Sequence, residues 1–245
     1  MASSSTNGNL SSNNVEGNHR HHSETCSYDT DQARGFVAKK CAKAILNEVE
    51  PEFDPEKSEV LDFACGIGLI SQELCAHVKS ILGVDISKDV VDVYNKKVWQ
   101  QGIDKEEMQA VCLELKESEG DQLNGRRFDA VVCASSYHHI GDINSITKIL
   151  SSYLKPGGEL IVLDLKKDPE TSHKFHGKHG SHDVGHTVTH SGGFDPIELE
   201  NAFKNTGIIE DVSVNVAFEF TKWVEGEERD YVFEYLIAKG RRIAE

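Results

Sequence analysis

The chain of 245 residues is long enough for one sizeable α/β domain with its own core. A formal net charge of −15 argues against nucleic acid as an obligate partner, because phosphate binding needs clustered Lys and Arg. No apolar run reaches membrane-spanning length, the amino terminus lacks the apolar core of a secretory signal, and no Cys-x-x-Cys occurs, so a cytoplasmic setting is expected.

Residues Met1 to about Cys26 are low in complexity, polar and rich in Ser, Asn and Gly, and read as a disordered, solvated tail ahead of a single domain over 27–245. Order is expected from Asp29, an N-cap with Gln32 at the capping-box position. Val37, Cys41 and Ile45 then recur every four residues and give a helix one buried face. The six cysteines (26, 41, 65, 75, 112 and 133) stand singly, several in apolar segments where a thiol packs as a small hydrophobe.

Val60-Leu61-Asp62-Phe63-Ala64-Cys65-Gly66-Ile67-Gly68-Leu69-Ile70-Ser71 reads as strand, tight turn and helix. Glycines 66 and 68 allow positive φ and close approach of a ligand to the main chain. In doubly wound sheets such a turn, at the carboxyl end of the first strand, is where nucleotides bind. Ile81-Leu82-Gly83-Val84-Asp85 is a second strand ending in a carboxylate that could accept from both hydroxyls of a ribose. A dinucleotide site would share these features. Against it, Ser71 stands where a third glycine belongs, and Asp62 would face a pyrophosphate with negative charge. A cationic sulfonium suits Asp62 better.

Asp62-x-x-Cys65-Gly66-x-Gly68 together with Gly83-Val84-Asp85 resembles the first two motifs of class I S-adenosylmethionine-dependent methyltransferases. The resemblance implies an α/β, Rossmann-like seven-stranded sheet, mostly parallel with an antiparallel last strand, and helices on both faces. It implies that Ala64, Cys65, Gly66 and Gly68 meet the methionine part of S-adenosyl-L-methionine. By the same resemblance Asp62 orients that loop, Asp85 holds the ribose, and Ile86, Leu113 and Glu114 frame the adenine.

Ile70, Leu74 and Val78 would form the inner face of the first core helix. Ser87 is placed to cap the next, with Val90, Tyr94 and Val98 spaced by four. Met108 to Leu113 reads as the third strand. The apolar run Phe128 to Ala134 suits a central parallel strand. Its loop, Ser135-Ser136-Tyr137-His138-His139-Ile140, resembles that of ubiquinone/menaquinone-biosynthesis-type methyltransferases. It lacks the Asn/Asp-Pro-Pro-aromatic motif of enzymes that methylate amide or nucleobase nitrogens. His138 and His139 are candidate bases or acceptor contacts, because imidazole titrates in the useful range; one of them could equally fix the loop. Asp142 caps a helix carrying Ile143, Ile146, Leu150 and Tyr153, and Lys155-Pro156-Gly157-Gly158 is the turn into strand five, Leu160 to Leu165.

Thr171 to Gly193 carries six of the twelve histidines among glycines. No ligand set stands out, so no metal is assigned, and the segment reads as a loop over the acceptor side. Its end, His190-Ser191-Gly192-Gly193-Phe194-Asp195, resembles a His-His-Gly-Phe-Asp stretch of the same methyltransferase branch, with Ser191 replacing the second His and one glycine added. Asp195-Pro196-Ile197-Glu198 starts a helix. Val212, Val214, Val216, Phe218 and Phe220 alternate, as do Tyr231, Phe233, Tyr235 and Ile237 across the turn at 225–228, giving a terminal hairpin.

Together these readings give an S-adenosylmethionine-dependent methyltransferase with a small or medium-sized acceptor. A protein methyltransferase on the same fold is one alternative. A non-catalytic cofactor- or metal-binding protein using the histidine-rich segment is another. The acceptor atom and the oligomeric state are not legible.

Overall fold

The computed structural model describes residues 32–49, 51–171, 174–175, 189–190, 192–224 and 227–244. The polar tail, Asp29 and histidines 173, 176, 179, 182 and 186 lie outside the described residues.

Among the described residues, helix α1 (Gln32–Glu48) precedes β1 (Glu59–Phe63), α2 (Leu69–Leu74), β2 (Ser80–Asp85), α3 (Lys88–Gln100) and β3 (Met108–Cys112). Then come β4 (Phe128–Ala134), α4 (Ile143–Ser152), β5 (Leu154–Leu165), α5 (Pro196–Lys204), β6 (Ile209–Val224) and β7 (Arg229–Arg242). The seven strands form one sheet in the order β3-β2-β1-β4-β5-β7-β6. Strands β1 to β5 run parallel, and β7 pairs antiparallel with both β5 and β6.

The pleat divides the core in two. Val60, Ile81, Ala130, Val132, Ile161 and Leu163 pack with Val37, Cys41 and Ile45 of α1 and Leu74 of α2. Leu61, Leu82, Val84, Val131, Leu160 and Val162 pack with Ile143, Ile146 and Leu150 of α4 and Leu199 and Phe203 of α5. Alternate residues of buried parallel strands thus serve both helical layers, which is why these strands read as continuous apolar runs.

Three expectations are corrected. Lys155-Pro156-Gly157-Gly158 turns the chain within the bounds of β5 rather than ahead of it: Leu154 and Glu159 pair with Phe128 and Ala130 of β4, the four residues between them are looped out, and Gly157 takes φ +77°. Gly158 is required there because a Cβ would sit 2.8 Å from the Asp129 carbonyl oxygen. The even alternation of β6 is broken by a shift between Val216 and Phe218. Val212 and Val214 therefore pack on the α4–α5 side, Phe218 and Phe220 on the α1 side, and Val216 is left exposed. Finally, Ser87 occupies the N-cap of α3 without a side-chain cap bond. Its amide instead donates to Asp85 Oδ1 at 2.9 Å.

Candidate active site

In a parallel sheet the carboxyl ends of strands far apart in sequence meet along one edge. Here that edge collects Asp62 (β1), Asp85 (β2) and Asp164 (β5), all buried.

The glycine turn is closed from within. Cys65 N donates to Val84 O at 3.1 Å, Gly68 N to Cys65 O at 3.0 Å, and Gly66 N to Asp85 Oδ2 at 2.9 Å. Its two glycines answer different demands. Gly66 has φ +52°, and a Cβ there would meet no protein atom within 4 Å, so the position opens on free space. Gly68 has φ +82°, and a Cβ would lie 2.6 Å from the Tyr94 ring of α3. Ala64 also has positive φ, 55°, at the tip of β1. The Cys65 side chain packs inward against Gly83, where a Cβ would be 2.7 Å from its sulfur, so only its main chain is left to line the turn.

Asp62 sits beneath this turn. Burial pushes its carboxyl up to about 7; the Ser71 hydroxyl and amide oppose that, while the nearby charge of Asp85 adds to it. Ser71 Oγ donates to Asp62 Oδ2 at 2.6 Å, which explains a fully buried serine where dinucleotide sites carry glycine. The Tyr94 hydroxyl is buried near Ser71 and meets no hydrogen-bond partner at full hydrogen-bond geometry among the described residues. Burial raises its pKa strongly, with Ser71 opposing the rise.

Asp85 accepts one amide on each oxygen, from Gly66 and Ser87, and each oxygen keeps a second lone pair. Ile86 and Leu113 are half-buried beside it, and Leu113 N donates to Asp85 O at 2.8 Å. Glu114 is half-buried too, with its carboxylate 2.7 Å from Lys116 Nζ.

On the other side of β1, the β4 loop begins at Ser135, with φ 57° and Oγ 3.0 Å from the Tyr235 hydroxyl. A 3-10 turn over Tyr137–His139 follows. His138 is buried, with Nδ1 2.7 Å from Asp164 Oδ1. Its ring centroid lies 4.2 Å from that of half-buried His139 and 6.5 Å from that of Phe175, edge-on. Sequence reasoning reached His138 and His139 but missed Asp164, Ser71 and Tyr94. The signal for Asp164 was a lone carboxylate near the end of an otherwise apolar run.

Among the described residues no group of three or more His, Cys, Asp or Glu side chains could hold a metal ion. No helix among them is long and apolar enough to cross a membrane.

Comparison with known proteins matches residues 33–208 to a family described as a methyltransferase domain. An uncharacterised methyltransferase of Schizosaccharomyces pombe is 45% identical over 152 residues, covering 61% of this chain and 52% of the relative. A ubiquinone biosynthesis O-methyltransferase of Coxiella burnetii is 28% identical over 123 residues, covering 50% of each. The chain thus spans about half the length of the curated relatives it matches. Among solved structures, YcgJ of Bacillus subtilis superposes with a TM-score of 0.60 at 13% identity, covering 84% of this chain and 99% of that one. A Haemonchus contortus phosphoethanolamine N-methyltransferase in complex with S-adenosyl-L-methionine gives a TM-score of 0.57 at 17% identity, covering 82% of this chain and 52% of that one. At such identities the structural likeness speaks for the fold alone.

Proposed function

The chain belongs to the methyltransferase-domain family, and from that premise we propose that it is an S-adenosylmethionine-dependent methyltransferase acting on a small-molecule acceptor. The observation that carries the reading is the acidity beneath the glycine turn: Asp62 and Asp85 are buried there, and the amides of Cys65, Gly66 and Gly68 are already bonded. A pyrophosphate would meet two carboxylates and amides committed elsewhere, the reverse of a helix-terminus anion site. A sulfonium cation meets complementary charge.

The residues present fit the cofactor. Asp85 has lone pairs left for two ribose hydroxyls, and Gly66 opens on space that a side chain would fill. Ile86 and Leu113 would flank the adenine, with Glu114 at its rim. Ala64, Cys65, Gly66 and Gly68 would line the methionine part through the main chain, and Asp62 would supply negative charge under it. When bound, S-adenosylmethionine supplies a methyl group already activated by its positive sulfur. The protein's part is then to hold an acceptor in line, excluding water, so that positioning supplies much of the rate. His138 and His139 mark the acceptor side. The Coxiella relative, a ubiquinone biosynthesis O-methyltransferase, supports a small acceptor, and a cytoplasmic location belongs to the same proposal.

Calorimetry with S-adenosylmethionine, S-adenosylhomocysteine and NAD tests the reading. Binding of the two sulfur nucleosides and not of NAD is the expected result. Uptake of NAD with no response to either nucleoside would overturn it.

A further inference from the structure

The chain leaves β3 through Leu113 to Lys116, and one side chain from further along the connection to β4 holds that stretch. Gln122 Oε1 accepts from the Lys116 amide at 2.7 Å. Its Nε2 donates to the Glu114 carbonyl at 2.8 Å and to Glu119 Oε2 at 3.1 Å. The partners also fix which way round the carboxamide sits, because an N–H needs its oxygen and a C=O its nitrogen. The two main-chain groups it takes up flank Leu115, and a neighbouring parallel strand would pair with the same two. β3 ends the sheet and has no neighbour on its outer edge. Leu113 turns its amide the other way, to the Asp85 carbonyl of β2 at 2.8 Å. Gln122 thus replaces, at the exit of β3, the strand that the sheet does not supply.

The clamp is itself anchored. The Gln122 amide donates at 3.1 Å to the hydroxyl of Tyr153, a buried residue at the C-cap of α4. Glu117 meets Lys148 of α4 at 2.7 Å, and Leu115 packs in the core with Leu123. Glu114 therefore stands between two main-chain anchors, one on Asp85 and one on Gln122. Its Oε2 lies 2.7 Å from Lys116 Nζ, and its Oε1 accepts no hydrogen bond among the described residues. We propose that Gln122 is a positioning residue of the cofactor site, setting the Glu114 carboxylate towards the purine of S-adenosylmethionine through the main chain on either side of Leu115. This rests on the methyltransferase reading above. Gln122 itself touches no part of the cofactor. Its contribution is that the segment is already ordered when the purine arrives, so binding does not have to supply that ordering.

The test uses the full chain with two probes, S-adenosylhomocysteine and its analogue carrying hydrogen in place of the purine 6-amino group, each followed by calorimetry. The unaltered chain should prefer the amino form by about tenfold or more, the range of a hydrogen bond to a carboxylate. Gln122→Met keeps the side-chain length and removes donor and acceptor. It should weaken S-adenosylhomocysteine by about tenfold and bring the two probes within about threefold of each other. A residue that only supports the fold would weaken both probes alike and leave their ratio where it was. Glu114→Ala should compress the ratio as far, and the double variant no further, because the two residues act through one contact. Amide hydrogen exchange needs no variant, so it keeps the proposal open to refutation if Gln122→Met fails to fold. In the ligand-free, unaltered chain the Lys116 amide should exchange about tenfold or more slowly than that of Ser118, which donates to nothing among the described residues. An unchanged ratio in Gln122→Met, equal exchange at Lys116 and Ser118, or equal binding of the two probes by the unaltered chain overturns the assignment of Gln122. If neither S-adenosylhomocysteine nor S-adenosylmethionine binds, the parent reading falls and this inference with it.

Discussion

On the proposed binding mode, Asp62 makes the charge of the cofactor's sulfur measurable. In the ligand-free protein burial holds its carboxyl near 7, so it is largely neutral at pH 6 and largely ionised at pH 8. A sulfonium above it favours the ionised form, whereas the uncharged thioether of S-adenosylhomocysteine does not. At pH 6, ionising a group of pKa 7 costs about 1.4 kcal/mol, roughly a tenfold loss of affinity, and at pH 8 almost nothing. The preference for S-adenosylmethionine over S-adenosylhomocysteine should therefore grow about tenfold between pH 6 and pH 8. Calorimetry at pH 6 in two buffers of different ionisation enthalpy should also reveal close to one proton released on binding S-adenosylmethionine. Asp62→Asn should flatten the ratio and bring the two affinities together at pH 8. A ratio independent of pH in the unaltered chain, or a slope surviving in Asp62→Asn, refutes the argument.

The same carboxyl sets a stability trend. Its folded pKa lies above the unfolded value, so its contribution is fully present below about pH 4 and is lost as pH rises through 7. Asp62→Asn should consequently gain in melting temperature relative to the unaltered protein as pH goes from 5 to 8, and a constant difference would contradict the sign. Gly68→Ala should cost about 2 kcal/mol or more in denaturant unfolding, from the left-handed backbone and the Tyr94 clash together. Gly66→Ala should cost only about 1 kcal/mol of stability while weakening cofactor binding, and equal losses of stability in the two variants would refute the division drawn between them. Asp85→Ala removes the acceptor for the Gly66 and Ser87 amides as well as for a ribose. It should weaken S-adenosylmethionine by about 1–3 kcal/mol, and unchanged calorimetric affinity would sink the assignment.

The sheet was legible because local pattern and global position agree over most of the chain. Val60–Asp62, Ile81–Asp85 and Phe128–Ala134 are apolar runs bounded by turn residues, and each is a strand where expected. What stayed hidden depended on register or on distance. Val212 to Phe220 alternates evenly in sequence, but one slip in pairing sends its two halves to opposite faces. Lys155-Pro156-Gly157-Gly158 has the composition of a turn, and only the pairing of its flanks, Leu154 and Glu159, with β4 shows that the strand has already begun before it. Ser71 was read only as the missing third glycine; its bond to Asp62, nine residues back, is set by how α2 sits on β1. Asp164 and His138 are twenty-six residues apart and meet because β4 and β5 are neighbours in the sheet.

The register also separates the carboxylates. Asp62 and Asp85 share the parity of Val60 and Ile81, which face α1 and α2; Asp164 shares the parity of Leu160 and Val162, which face α4 and α5. Successive side chains of a strand leave opposite faces, so the pleat sends the pair beneath the glycine turn one way and the carboxylate behind His138 the other. The Asp164 carboxylate is thereby turned away from the other two, whereas within the Asp62–Asp85 pair like charge adds to the upward push on Asp62. Moving Asp62 or Asp164 by a single position along its strand would reverse its face, so each is tied to its place in the chain more strictly than a surface acid would be.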